Sequence, residues 1–277
     1  MRRLIFRASR RLLARLGTLL VRSPVTKRYG DIIHQLLFSG WRTVTYKDQF
    51  LSFNVPNMIC DMRVKRIFSK EPGTINWIDS LEPGADILWD VGANLGLYSS
   101  LAASRGVETV AFEPSIFNLE VLALNLQKNG LEDSVCVVPI AVGGKASIYV
   151  HSSPMEGTEL HGHSYPHLAA LSSQNSYQGL FTLPALMLPL DLSATLFGLP
   201  MPTHMKFDID GGEFEALSGA RRVLLGLRSL LLETSAEDES RVGSLLGEFG
   251  FSRVNDSKYA PNVLWIRDQP DNVSTAP

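Results

Sequence analysis

The chain has 277 residues, 45% hydrophobic and 19% charged, with a formal net charge of -2. That is enough chain for one large α/β core with additions, and its ordinary globular composition shows no repeat or long low-complexity tract. Nine of the 26 Lys and Arg residues stand among the first 28, which contain no acid, leaving 17 basic against 28 acidic residues in the rest. A body this acidic argues against sequence-independent nucleic-acid binding outside the N-terminal arm. Cys60 and Cys136 lack C-x-x-C spacing, so they form neither a disulfide framework nor a zinc site. They read as small buried apolar residues of a protein in a reducing, cytoplasmic compartment.

Residues 1 to 28 read as a basic amphipathic helix. Plotted at about 100° per residue, Ile5, Ala8, Leu12, Leu13, Leu16, Leu19 and Leu20 fall on one side, and Arg3, Arg7, Arg10, Arg11, Arg15 and Arg22 fall opposite. The uncharged run Leu16 to Val21 is too short to span a bilayer, and no small-residue cleavage site follows it. Two readings stand: residues 2 to 22 lie on the inner, anionic face of a membrane, or they pack on the protein's own body.

Residues 29 to 82 mix apolar runs (Ile32 to Phe38, Phe50 to Val55) with turn residues and read as a small N-terminal cap that ends in a helix near Thr74 to Leu81. From residue 83 to 268 the rhythm is regular. Strands are expected at 86–91, 108–112, 135–141 and 146–150, with helices at about 95–104 and 117–129, the second closed by Gly130. The Ser-, Gly- and His-rich segment from about 152 to 185 reads as a mobile loop. Beyond it come a strand at 203–209, a helix at 213–225, a strand at 228–233 and a helix at 238–249, then an antiparallel pair (251–254 and 263–267) and a polar tail from 269 to 277. Alternating strands and helices imply βαβ units in a parallel sheet.

The run from Trp89 through Asp90, Gly92, Asn94 and Gly96 to Tyr98 is a strand, a turn with two glycines and a helix start, which is the form of a nucleotide-cofactor turn. A dinucleotide site needs G-x-G-x-x-G so that pyrophosphate can rest on the helix N-terminus, whereas here the run is Gly92-x-Asn94-x-Gly96. Asp90, two residues before the first glycine, would oppose a pyrophosphate and suits the α-ammonium of a methionine moiety. Glu113 ends the next strand, 21 residues after Gly92, where a carboxylate can accept from both ribose hydroxyls.

These stretches resemble class I S-adenosylmethionine-dependent methyltransferases, and specifically the FkbM family. The resemblance rests on Lys70-Glu71-Pro72 through Trp77, Asp90 through Tyr98, Phe112-Glu113-Pro114, Asn125-Leu126 to Gly130, Lys206 through Glu213, and Leu231-Leu232-Glu233. It implies a Rossmann-like doubly wound sheet, mostly parallel with a reversed terminal strand. Asp90, Gly92, Asn94, Gly96 and Glu113 carry over onto cofactor positions, with Ala141 near the adenine. The family usually has Glu where this chain has Asp210 and Ala where it has Gly212, and the shorter acid puts the inherited role of Asp210 in question.

Asp208, Asp210 and Glu213 lie at a strand end and helix opening, where α/β folds bind ligands. One reading places Asp208 beside the reacting groups, with Asp210 or Glu213 positioning the acceptor hydroxyl or taking its proton. The other makes all three caps of the helix N-terminus. Lys206 shares their strand face and either pairs with Asp208 or meets substrate. His151, His161, His163 and His167 read as solvated loop residues and not as metal ligands, and His204 as a core or wall residue. The leading expectation is O-methylation of a hydroxyl on a small molecule or saccharide. A non-catalytic cofactor-binding protein and a nicotinamide-dependent reductase are the alternatives.

Overall fold

A computed structural model describes residues 40–154, 180–209, 211–234 and 238–267. The basic helix, the middle of the 152–185 loop with His161, His163 and His167, Asp210 and the tail lie outside the described residues. The cap is a hairpin of β1 (Trp41–Tyr46) and β2 (Gln49–Asn54), followed by α1 (Met58–Lys70) and α2 (Pro72–Asp79). Asn57 caps α1 by accepting from the Cys60 N–H at 2.8 Å, and Pro72 stands where a first-turn N–H has no partner anyway.

The core follows the expected βα rhythm. Strands β3 (Ile87–Val91), β4 (Glu108–Phe112) and β5 (Val135–Val138) alternate with α3 (Leu97–Ser104) and α4 (Ile116–Asn129). Gly130, at φ 66°, closes α4 as expected. Two short strands, β6 (Ala141–Val142) and β7 (Ser147–Pro154), precede β8 (Leu180–Leu188) and α5 (Leu190–Leu196). The last section runs β9 (His204–Phe207), α6 (Glu213–Ser218), α7 (Arg221–Gly226), β10 (Ser229–Leu232), α8 (Glu239–Glu248), β11 (Phe251–Val254) and β12 (Val263–Arg267). The seven-stranded sheet has the order β11-β12-β10-β9-β3-β4-β5, with β12 antiparallel to both neighbours and β3, β4, β5, β9 and β10 parallel. It is the Rossmann-like sheet with a reversed terminal strand.

Several expectations are corrected. The run 135–141 is two strands, because Pro139 has no N–H to continue the ladder; Ala141 instead pairs with Met187 in a separate three-stranded sheet of β6, β8 and β7. The 152–185 loop is shorter, since Ser147–Pro154 and Leu180–Leu188 form an antiparallel ladder that includes His151 opposite Leu183. The helix at 213–225 is broken at Gly219 and Ala220 into α6 and α7. Cys60 is buried as expected, but Cys136 is exposed.

Period-2 alternation sends successive residues of the sheet to opposite faces. Trp89, Val91, Phe112, Phe207 and Leu232 pack with α5 to α8 on one face. Leu88, Leu231 and Leu264 pack on the other with the cap and α3. The cap therefore completes one face of the sheet's core and has no separate core of its own. Phe53, fully buried within that cluster, should cost about 3–5 kcal/mol when replaced by Ala. Urea unfolding of Phe53→Ala followed by near- and far-ultraviolet circular dichroism should show coincident transitions at lower denaturant, because the cap and the sheet share one core.

Candidate active site

The site lies at the C-terminal ends of β3, β4 and β9. Pairing sets Asp90 on β3 directly beside Lys206 on β9, and alternation points both to the cap side with Leu88. Lys206 is only 2% exposed. Its ammonium donates to Asp208 Oδ2 at 3.0 Å and stands 5.2 Å from the centre of the Tyr98 ring. Burial alone would lower its pKa, but the carboxylates of Asp208, Asp90 and Glu71 outweigh it and hold the lysine charged.

Each carboxylate comes from a different element. Asp90, 1% exposed, accepts from Ser99 Oγ at 2.6 Å through Oδ2, and its Oδ1 has no hydrogen-bond partner among the described residues. Burial pushes its carboxyl up, with Lys206 opposing. Glu71, at the junction of α1 and α2, accepts from Lys70 Nζ at 2.7 Å, Asn262 Nδ2 at 2.9 Å and Thr74 Oγ1 at 3.2 Å. Burial works to raise Glu71, yet the Lys206 and Lys70 charges and the Asn262 bond hold it below the usual carboxylate range. Burial, with Glu71 nearby, also pushes the Tyr98 hydroxyl far above its ordinary pKa, so it stays a phenol.

The glycine turn closes over this cluster because of two tight approaches. Gly92, at φ 84°, would place a Cβ 1.7 Å from the Asp208 carbonyl oxygen, so only glycine lets the β3 turn touch the end of β9. Gly96, at φ 70°, would place one 2.9 Å from Leu122 Cγ, so its observed role is close packing of α3 on α4. Glu113 holds the turn from behind: Oε2 accepts from the Asn94 N–H at 2.8 Å, and Oε1 accepts from the Ser115 N–H at 2.9 Å and Asn118 Nδ2 at 3.2 Å. Asn94 itself sits at φ 52°.

Gly92, Asn94 and Asp208 line one cleft, together with Lys206, Glu71, Tyr98 and the Arg63, Arg66 and Lys70 side of α1. Asp90, Gly96 and Glu113 are not among its lining residues, and neither are Ala141 and Glu213. Ala141 is buried in β6. Glu213 opens α6 and folds back to accept from the Gly211 N–H at 2.6 Å, leaving a buried Oε2 without a partner among the described residues. Burial pushes its carboxyl up as well. The reading of Glu213 as a helix-terminus group thus matches its contacts. His204 is a wall residue as expected: its ring meets Ser229 Oγ at 2.6 Å and Asp86 at 3.2 Å, and burial lowers its pKa to about 4. Among the described residues no group of His, Cys, Asp and Glu could hold a metal ion, and no helix is long and apolar enough to cross a membrane.

Residues 90–251 match the family described as the Methyltransferase FkbM domain, more than half of the chain. The chain belongs to the FkbM methyltransferase family. Over 167 residues it is 26% identical to the hexuronic acid methyltransferase AglP of Haloferax volcanii, covering 59% of this chain and 62% of that relative's length. Among solved structures it is similar to an FkbM methyltransferase from Methylobacillus flagellatus KT (16% identity, 68% of this chain, 45% of that one, TM-score 0.47). It is also similar to a methyltransferase from Geobacter sulfurreducens (15% identity, 76% and 87%, TM-score 0.45).

Some residues of the site and its supports escaped the sequence reading. Glu71 and Tyr98 lay inside the motifs that carried the resemblance but gained no role, because their partner Lys206 is more than a hundred residues away. Asn125 and Asn129 of α4 hold the cap to the turn: Asn125 accepts from the Asn54 N–H at 2.7 Å and donates to the Leu95 carbonyl at 2.8 Å, while Asn129 bonds both backbone groups of Ser52. Two asparagines at helical spacing, i and i+4, were the available signal.

Burial raises the Glu113 carboxyl from 4.5 to about 7, against the hydrogen bonds that favour its charge. The folded chain therefore binds this proton more tightly than the unfolded chain does. The resulting stability is complete below about pH 4.5 and is lost as pH rises through about 7, some ~3 kcal/mol in all. In urea titrations from pH 4 to 8, the stability of the wild type minus that of Glu113→Gln should fall with rising pH across this window. A flat difference would contradict the buried carboxylate.

Proposed function

We propose that the chain transfers the methyl group of S-adenosylmethionine to a hydroxyl oxygen of a saccharide. The observation that supports this reading is the set of carboxylates at the strand ends, where three acids, Asp90, Asp208 and Glu71, meet two ammoniums, Lys206 and Lys70. A pocket of that charge fits a cationic ligand, and S-adenosylmethionine brings an α-ammonium and a sulfonium. The unpartnered, buried Oδ1 of Asp90 is a fitting acceptor for the ammonium. Gly92 and Asn94 supply backbone along the cleft, and Glu113, which holds the Asn94 and Ser115 N–H groups behind the turn, is the proposed ribose acceptor. Support for a saccharide acceptor comes from the named activity of the Haloferax volcanii relative.

When bound, the cofactor supplies an already activated methyl carbon, and the reaction is an in-line displacement by the acceptor oxygen. The work of the chain is alignment, and effective molarities on the order of 10⁵ M or more can provide most of the acceleration. Asp208 lines the cleft with one oxygen tied to Lys206, leaving Oδ1 to accept the hydrogen bond of the acceptor hydroxyl and to take its proton as the C–O bond forms. Lys206 keeps that carboxylate in place. Glu213 positions the connection after β9 by holding the Gly211 N–H. Asp210 is proposed to help orient the acceptor.

Incubation of the protein with methyl-labelled S-adenosylmethionine and a saccharide panel should give label in a product stable to mild alkali, as an ether is and an ester is not. Asp208→Asn should lower turnover about 10²-fold with S-adenosylhomocysteine affinity within about twofold of wild type. Asp90→Asn should instead weaken cofactor binding about ten-fold or more, by loss of a charge-assisted contact. Cofactor binding with no transfer to any saccharide would overturn the catalytic reading, and absence of binding would overturn both.

A further inference from the structure

We infer that the mouth of the cleft is an anion subsite for the acceptor, so that the saccharide methylated under the reading above is an acidic one, held by its carboxylate. Helix α1 presents Arg63, Arg66 and Lys70 to the cleft, with Ile67 between them. Steps of three and four residues put these side chains on one helix face. The helix has one acid, Asp61, and it is occupied by Arg42 and Lys65.

Two cations of the cleft are matched, buried Lys206 by Asp208 at 3.0 Å and half-exposed Lys70 at the mouth by Glu71 at 2.7 Å. Arg66 is exposed, and its guanidinium forms no hydrogen bond or ion pair among the described residues. Behind an initial basic segment, the chain holds 17 basic against 28 acidic residues, so a three-cation face at a cleft is not a sample of its general surface. A planar guanidinium with a neighbouring ammonium recognises a carboxylate through two parallel hydrogen bonds.

The α-carboxylate of S-adenosylmethionine has the same chemistry, and position separates the two sources. Arg63 acts electrostatically on Glu113, at the glycine turn, whereas Lys70 stands beside Glu71 on the Lys206 and Asp208 side where the acceptor hydroxyl is placed. Arg66 and Lys70 are therefore assigned to the acceptor.

The test is calorimetry on the full chain saturated with S-adenosylhomocysteine, using methyl glucopyranosiduronic acid and its uncharged methyl ester as probes. The wild type should bind the acid at least about ten-fold more tightly than the ester. Arg66→Gln, a change at an exposed position, should remove most of that preference while leaving affinity for the ester and for S-adenosylhomocysteine within about twofold. Equal affinity of the wild type for acid and ester would overturn the subsite. So would a variant that keeps the preference but binds S-adenosylhomocysteine more weakly, which would give the anion to the cofactor. Acid preference that depends on Arg66, in a protein that methylates no saccharide, would support the subsite and overturn the reaction.

Discussion

The arrangement depends on one buried ammonium. Lys206 is withdrawn from water at the centre of the sheet and remains charged because Asp208, Asp90 and Glu71 converge on it. A lone charge in that position would cost several kcal/mol, and removing one partner of such a cluster typically costs about 3–5 kcal/mol by stranding the others. The cluster therefore holds together the elements that supply it: β3 through Asp90, β9 through Lys206 and Asp208, and the cap through Glu71. With Lys70 also on Glu71, the cluster sets three carboxylates against two ammoniums, which fits the proposed cationic ligand.

The cap is bound into the same logic. Glu71 is fixed by Thr74 and Asn262, tying the entry to α2 to the start of β12, and Asn125 and Asn129 connect β2 to the helix behind the glycine turn. Trp77 reaches the far end of the sheet, donating to Ser229 Oγ at 2.8 Å. The segment that packs behind the glycine turn thus also contributes the basic face of α1 at the cleft mouth, so the proposed cation and anion sites would share one opening.

The central sheet was legible in the sequence because buried parallel strands are short apolar runs between turn residues, and the glycine turn was legible because close backbone approach at Gly92 admits no side chain. The same apolar signal failed where it continued through a proline: Val135 to Ala141 read as one strand until the missing N–H of Pro139 split it. Composition misled at 152–154 and 180–185, read as loop, where the strand expected at 146–150 runs on to Pro154 because pairing with Leu180–Leu188 carries the ladder. Asp90 and Asp208 stood out in the sequence because each ends a strand beside a turn, and the structure brings both to Lys206. Glu71 and Tyr98 were given no role, since their importance comes from a partner that only the folded topology brings near. Glu213 looked catalytic by position, yet its carboxylate is turned back on the Gly211 N–H, which local sequence does not reveal.

The carboxylates around Lys206 are proposed to receive the cationic end of S-adenosylmethionine, and a crystal structure of the chain grown with S-adenosylhomocysteine decides this. The ligand is expected across the Gly92 to Gly96 turn, with its amino nitrogen within about 3.2 Å of the Asp90 carboxylate or one water removed from it. A ligand bound outside this cleft, or bound in it with the amino group turned away from Asp90, would overturn the proposal.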